Sequence, residues 1–262
     1  MIAASDPSLS PRRLAPIDLD ELVSRAALQT RVDRKYVVTT AAAAALIERL
    51  AHGARVLEID GRRDFEYASL YYDTPALDSY HLAARGRRRR WKVRRRDYLD
   101  TGTSWLEVKT RHAGQTVKHR VPCSQLGSLT EDDTAYVDDI LRSELVDDID
   151  TQTLAPALQT RYRRTTLYLP DNDSRVTLDT HLAFTAADQS RALAVPSRVV
   201  IETKTPGAPC VADRELWSMG LRPVRISKYG TGLAALRPDL PHTKWRRVMQ
   251  RALNLKDTRS AA

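Results

Sequence analysis

The sequence predicts an α+β fold in which strands enclose a basic channel and helices cover the apolar sides of those strands. Three observations lead there. Segments of period two recur along the chain, and at least six of them put Lys or Arg on the face opposite a row of branched aliphatic or aromatic residues. Segments of helical spacing lie between and after them. A hydrophobic fraction of 42% over 262 residues is enough for a real core, and one domain is expected.

The 42 Lys+Arg against 33 Asp+Glu give a net charge of +9, which points to anionic partners without choosing among nucleic acid, acidic lipid and phosphate compounds. Cys123 and Cys210 stand far apart without metal-type spacing, which suggests neither a disulfide framework nor a zinc site and fits a reducing cytoplasm. The six histidines have no ligand spacing and no Walker A sequence occurs, Gly230-Thr-Gly232 after Lys228 being read as a turn. No apolar run approaches the ~20 residues that span a bilayer, so no transmembrane segment is expected. A peripheral membrane contact or a membrane-protein partner stays open.

In chain order, residues 1–17 read as a disordered leader, and Asp18 or Asp20 caps a short helix with Leu19, Leu22, Val23 and Ala26 on one side. From Arg31 to Val38 the period is two, with Arg31, Asp33 and Lys35 opposite Val32, Arg34 and Tyr36. Thr39 or Thr40 opens an alanine-rich helix that Gly53 can stop. Strands are expected over 54–60 and 65–72, then a turn at Asp73-Thr74-Pro75. The densest comb follows over 86–98, with Lys92, Arg94 and Arg96 on one face and Trp91, Val93 and Arg95 on the other.

Glu107, Lys109 and Arg111 then alternate with Leu106 and Val108, and Lys118 and Arg120 with Val117, His119 and Val121. Residues 130–150 form an acidic amphipathic helix with Tyr136, Val137, Ile140, Leu141 and Leu145 inward. The strand over 158–169 has Tyr162 and Arg164 on one face, Arg161 and Arg163 on the other. Arg175, Thr177 and Asp179 alternate with Val176 and Leu178, and Val200, Glu202 and Lys204 with Val199 and Ile201. The segment 224–229 comes last, with Lys228 beside Ser227 and Tyr229, before a basic helix over 239–253 packed on the strands. The boundaries expected are a leader to 17, one domain over 18–255 and a disordered tail over 256–262. Trp91 and Trp105 are read as outer-face core rather than as base-stacking platforms.

Gathering Lys35, Arg94, Arg96, Lys109, Lys118, Arg164, Arg175, Lys204 and Lys228 on one concave surface would cost several kcal/mol in repulsion unless a polyanion occupied it. Glu107, Glu202, Asp33 and Asp179 share those faces, and carboxylate oxygens are what Mg²⁺ or Mn²⁺ require. For each carboxylate, pairing with a neighbouring cation is the competing reading.

Eight ordered blocks resemble the VTC domain, the polyphosphate polymerase module of the vacuolar transporter chaperone complex and a branch of the triphosphate tunnel metalloenzymes. They are Arg31-Val-Asp-Arg-Lys-Tyr36, Tyr71-Tyr-Asp-Thr-Pro75 with Leu77-Asp-Ser-Tyr80, Lys92-Val-Arg-Arg-Arg-Asp-Tyr98, Leu106-Glu-Val-Lys-Thr110, Val117-Lys-His-Arg-Val121, Val176-Thr-Leu-Asp179, Ile201-Glu-Thr-Lys204 and Ser227-Lys-Tyr229. The resemblance spans about 30–233 and implies an antiparallel eight-stranded tunnel barrel flanked by helices. It also implies phosphoryl transfer from ATP to a growing inorganic polyphosphate chain with Mn²⁺ or Mg²⁺. Lys35, Arg94, Arg96, Lys109, Lys118 and Lys228 would be the catalytic cations, and Arg164, Arg175, Lys204, Ser227 and Arg120 further substrate contacts. Glu202 would hold the metal, with Glu107 and Asp179 as additional candidates.

Two departures matter. The opening strand lacks the Glu-x-Glu-x-Lys pattern of the hydrolytic tunnel enzymes, offering only Asp33 and Lys35. Arg95 stands where the family often has an aliphatic residue. The alternatives to polymerase are a triphosphatase or polyphosphatase and a non-catalytic polyphosphate or nucleic-acid binder, nucleic acid being the less favoured partner.

Overall fold

The computed structural model describes residues 9, 11–26, 31–112, 115–124, 127–144, 146 and 149–255. In chain order the elements are β1 (Ala15–Ile17), α1 (Leu19–Arg25), β2 (Val32–Thr39), α2 (Thr40–Arg49), β3 (Arg55–Leu57) and β4 (Phe65–Asp73). Then come α3 (Asp78–Ala84), β5 (Arg90–Tyr98), β6 (Thr103–His112), β7 (Gln115–Pro122) and α4 (Glu131–Ser143). The chain continues through β8 (Ala155–Leu169), β9 (Ser174–Ala186), β10 (Ala192–Val195) and β11 (Arg198–Thr205). It ends with α5 (Val211–Ser218), α6 (Lys228–Leu236) and α7 (Thr243–Arg247), the last running into a single π turn.

The chain divides into two compact units. One comprises Met1–Glu66, Tyr162–Leu182 and Ala194–Ile226, the other Tyr67–Arg161, Ala183–Leu193 and Ser227–Ala262. In the first unit β11 pairs antiparallel with both β2 and β9. Alternation sends Tyr36, Val38, Val176, Leu178, Val199 and Ile201 to one side, where they pack with Leu46 and Ile47 of α2 and Leu216 of α5. The buried Asp213 carboxylate ties this core together, accepting from Tyr36 Oη and Thr203 Oγ1 at 2.7 Å each and from Cys210 N at 3.0 Å. A carboxylate is tolerated at full burial because donors satisfy its oxygens.

In the second unit β4, β5, β6 and β7 form an antiparallel run. Trp91, Val93, Leu106 and Val108 pack with Val137 and Leu141 of α4. That helix starts at a capping box in which Thr130 Oγ1 accepts from Asp133 N and Asp133 Oδ2 from Thr130 N. Buried Asp73 accepts from the backbone N–H groups of Thr74, Ser79 and Tyr80 at 2.9 Å each and from the Tyr229 hydroxyl, fixing the start of α3.

Several expectations change. An antiparallel sheet with flanking helices forms, but it has eleven strands rather than eight, and β1 pairs parallel with β3. Its main path runs β2-β11-β9-β8-β4-β5-β6-β7, and among the described residues no pairing joins β7 to β2, so the sheet is open rather than a closed barrel. Alternation specifies faces and leaves closure undetermined.

Within the expected leader, Leu14 and Ile17 are buried and β1 forms, whereas residues 1–8 and 10 and the tail over 256–262 lie outside the described residues. Asp18 caps α1, and of the four expected apolar positions Leu22 and Ala26 are buried whereas Leu19 and Val23 are exposed, because a seven-residue helix buries only a narrow stripe. Lys228, counted among the cations gathered on the strand faces, instead opens a helix: Ser227 Oγ accepts from Gly230 N at 3.2 Å and starts α6.

Gly230 and Gly232 accordingly lie inside α6 rather than in a turn. A Cβ at Gly230 would come within 2.3 Å of Trp245, and one at Gly232 within 2.2 Å of Phe184. Close helix packing explains both glycines.

Candidate functional site

Polar faces opposite the two cores carry the charged side chains, and each unit centres them on one glutamate. In the first unit Glu202 lies directly across from Lys35 of β2 and Thr177 of β9. Its Oε1 accepts from Lys35 Nζ at 2.9 Å and its Oε2 from Lys204 Nζ at 3.2 Å. Arg164 reaches across to Asp179 with two bonds, Nε–Oδ1 at 2.6 Å and Nη2–Oδ2 at 2.8 Å, a forked geometry suited to a carboxylate or a phosphate.

Burial opposes the charge on Glu202, but the cations of Lys204, Lys35 and Arg164 outweigh it and hold its carboxyl well below the usual range. Burial likewise opposes the Lys35 ammonium, and the Glu202 carboxylate overcomes this and raises its pKa. For Lys204 burial prevails, aided by Arg164, and its pKa falls to about 8.

In the second unit cross-strand register assembles a wider face. Arg94, Glu107 and Arg120 form one row across β5, β6 and β7; Lys92, Lys109 and Lys118 form the next; Arg90 and Arg111 follow. With Arg96, eight cations share this face with the single carboxylate of Glu107. Arg94 Nε donates to Glu107 Oε2 at 2.7 Å and Lys118 Nζ to Oε1 at 2.6 Å.

Burial works against the charge on Glu107, but Arg94, Arg96 and Lys118 hold its carboxyl far below the ordinary carboxylate range. Burial lowers Lys118 to about 8 despite that partner. Lys92 donates to Ser227 Oγ at 3.0 Å, at the start of α6, and lies over the rings of Tyr71 and Tyr229.

The expected residues are thus distributed. Lys35, Arg164, Lys204, Glu202 and Asp179 gather in the first unit; Arg94, Arg96, Lys109, Lys118, Arg120 and Glu107 share one face in the second. Arg175, in register with Lys204, donates to the carbonyls of Leu22 and Ala26 at the end of α1, so a ligand role for it requires release from them. Lys228 and Ser227 stand at a helix start instead of on a strand face.

Lys92 shares the row of Lys109 and Lys118 although it was not among the expected phosphate contacts; its signal was membership of the comb. Trp105 corrects a second reading. It stands opposite Arg96 on the cationic face, not in the outer core where Trp91 is buried, and its even spacing from Glu107 was the available signal.

The carboxylates test the fit of a metal. Among the described residues no three His, Cys, Asp or Glu side chains group together as a ligand set. Both oxygens of Glu202, Glu107 and Asp179 are engaged by cations. This donor chemistry fits one arrangement, a hard cation that takes a single carboxylate and otherwise uses phosphate oxygens and water. No helix among the described residues is long and apolar enough to cross a membrane.

A putative adenylate cyclase from Bacillus halodurans is 14% identical with a TM-score of 0.49, covering 75% of this chain and 93% of its own. A putative adenylyl cyclase from Hippeastrum, described as having a dominant triphosphatase activity, is 15% identical with a TM-score of 0.47, over 82% of this chain and 100% of its own. Likenesses at this level say nothing of what this chain binds. No curated protein matches the sequence. The VTC domain matches residues 30–237, most of the chain. The chain therefore belongs to the VTC-domain family.

Proposed function

We propose that this protein is a metal-dependent polyphosphate polymerase that transfers the terminal phosphoryl of ATP to a growing inorganic polyphosphate chain. The observation that carries the reading is the in-register row of Lys92, Lys109 and Lys118. Neighbouring strands lie about 4.8 Å apart and like charges directly opposite destabilise a sheet, so the row gains stability from a ligand whose anionic groups repeat along its length. Membership of the VTC family supports the same ligand class.

Phosphoryl transfer asks mainly for alignment and for neutralisation of charge on nonbridging oxygens. Arg94 and Arg164 present forked donors to phosphate, whereas the lysines act as point charges along the chain. Glu107 holds Arg94 and Lys118 in place, and Asp179 holds Arg164. The attacking phosphate oxygen is already anionic, so no dedicated base is needed. Mn²⁺ or Mg²⁺ on Glu202 would neutralise phosphate charge beside Lys35 and Lys204 in the first unit. Residues 18–255 act as one functional domain in this proposal, and its site of action is the cytoplasm, consistent with Cys123 and Cys210 both being free.

Incubating the purified protein with ATP and Mn²⁺ or Mg²⁺ tests this. Long acid-precipitable phosphate chains are the expected product. Free phosphate alone would make it a triphosphatase or polyphosphatase, and binding without turnover would make it a polyphosphate binder.

A further inference from the structure

The cationic face of the second unit is graded along its strands, and the grading has an aromatic end. Trp105 faces Arg96 across β5 and β6 on the same side as Glu107 and Lys109, away from the core beneath α4. The Arg120 guanidinium lies 4.7 Å from the centre of the Trp105 ring, and that of Arg96 lies 5.7 Å from the Tyr67 ring. Tyr67 in turn contacts Tyr98 at 4.9 Å between ring centres. Along β6 the aromatic position precedes Glu107 by two residues and Lys109 by four, which is about 7 and 14 Å of extended strand.

We infer that Trp105, together with the Arg120 guanidinium that lies over its ring, is the resting place of a nucleobase, so that the donor site on this face takes a nucleoside triphosphate base-first at Trp105 with its phosphates toward the lysine row. A half-buried indole on a face dominated by cations stands apart from the apolar core beneath α4. Indole and guanidinium planes both stack on bases, and they do so with little preference among bases. A nucleoside triphosphate has the same polarity as the face, an aromatic ring at one end and a row of anions at the other. Trp105 is thereby a specificity residue, separating nucleotides from bare polyphosphate.

This inference rests on the phosphate-binding reading above, and the experiment separates the two. Calorimetric affinities of ATP, GTP and inorganic tripolyphosphate are measured for the wild type, Trp105→Ala and Trp105→Phe. The expected result is a loss of about tenfold in ATP and GTP affinity for Trp105→Ala, partial retention in Trp105→Phe, and unchanged tripolyphosphate affinity in both. Unchanged ATP affinity in Trp105→Ala, or an equal fall for ATP and tripolyphosphate, overturns the base site while leaving the phosphate rows in place. Wild-type protein that binds neither ligand overturns both readings.

Discussion

Glu107 and Arg94 face each other directly across β5 and β6, joined by contacts of 2.7 and 2.5 Å to one carboxylate oxygen while Lys118 holds the other at 2.6 Å. Glu107 is only 2% exposed, so its charge is stable there solely because cations surround it. Removing it leaves cations facing one another without their counter-ion. Glu107→Ala is expected to destabilise the protein by about 3–5 kcal/mol in urea unfolding. Saturating tripolyphosphate should restore part of that loss, because a polyanion replaces the missing charge; no restoration would place the cations outside any phosphate site.

Binding should weaken as pH rises. Lys118 in the second unit and Lys204 in the first both have pKa values lowered to about 8 in the ligand-free protein, and a polyanion bound beside either favours its charged form. Below pH 8 both already carry their protons and binding needs no uptake. Above it each must gain a proton, so tripolyphosphate affinity falls with pH from about 8 upward. Calorimetry in two buffers of different ionisation enthalpy should detect proton uptake at pH 8.5 and little at pH 6.5.

Glu202 separates metal binding from charge pairing. If it holds the metal, Glu202→Gln abolishes metal-dependent turnover while tripolyphosphate binding in the presence of chelator tightens, since Lys35 and Lys204 lose their competitor. Full metal-dependent activity in that variant would remove Glu202 from the metal assignment.

The packing of α6 gives a structural test. Gly232→Ala places a Cβ within 2.2 Å of the Phe184 ring and should cost about 1–3 kcal/mol by forcing that ring aside. Gly53→Ala, with no atom within 4 Å of the added carbon, should lie within about 0.5 kcal/mol of the wild type in the same denaturant series.

Much of the site was legible because strand alternation is rigid. Once Lys92, Arg94 and Arg96 were placed on one face, Glu107, Lys109, Lys118 and Arg120 followed from their own alternation, and register confirmed that the three strands present the same side. The Trp105 assignment failed where an aromatic residue was taken for core on residue type alone, against its own parity with Glu107. Ser227 and Lys228 were misplaced for another reason. A Ser-Lys-Tyr-Gly-Thr-Gly run has weak local helix preference; Ser227 caps α6, and the glycines are there because Trp245 and Phe184 leave no room for a Cβ.

The order of charged and apolar residues determined by itself which side chains share a face, because each strand residue points opposite to its neighbours. The tertiary structure decided which strands adjoin, that eleven rather than eight form an open sheet, and that Lys92, Lys109 and Lys118 stand in one row. Such pairings join residues far apart in sequence, and their register is set by turns and by the packing of α2, α4 and α5 against the apolar sides, information that no local pattern contains.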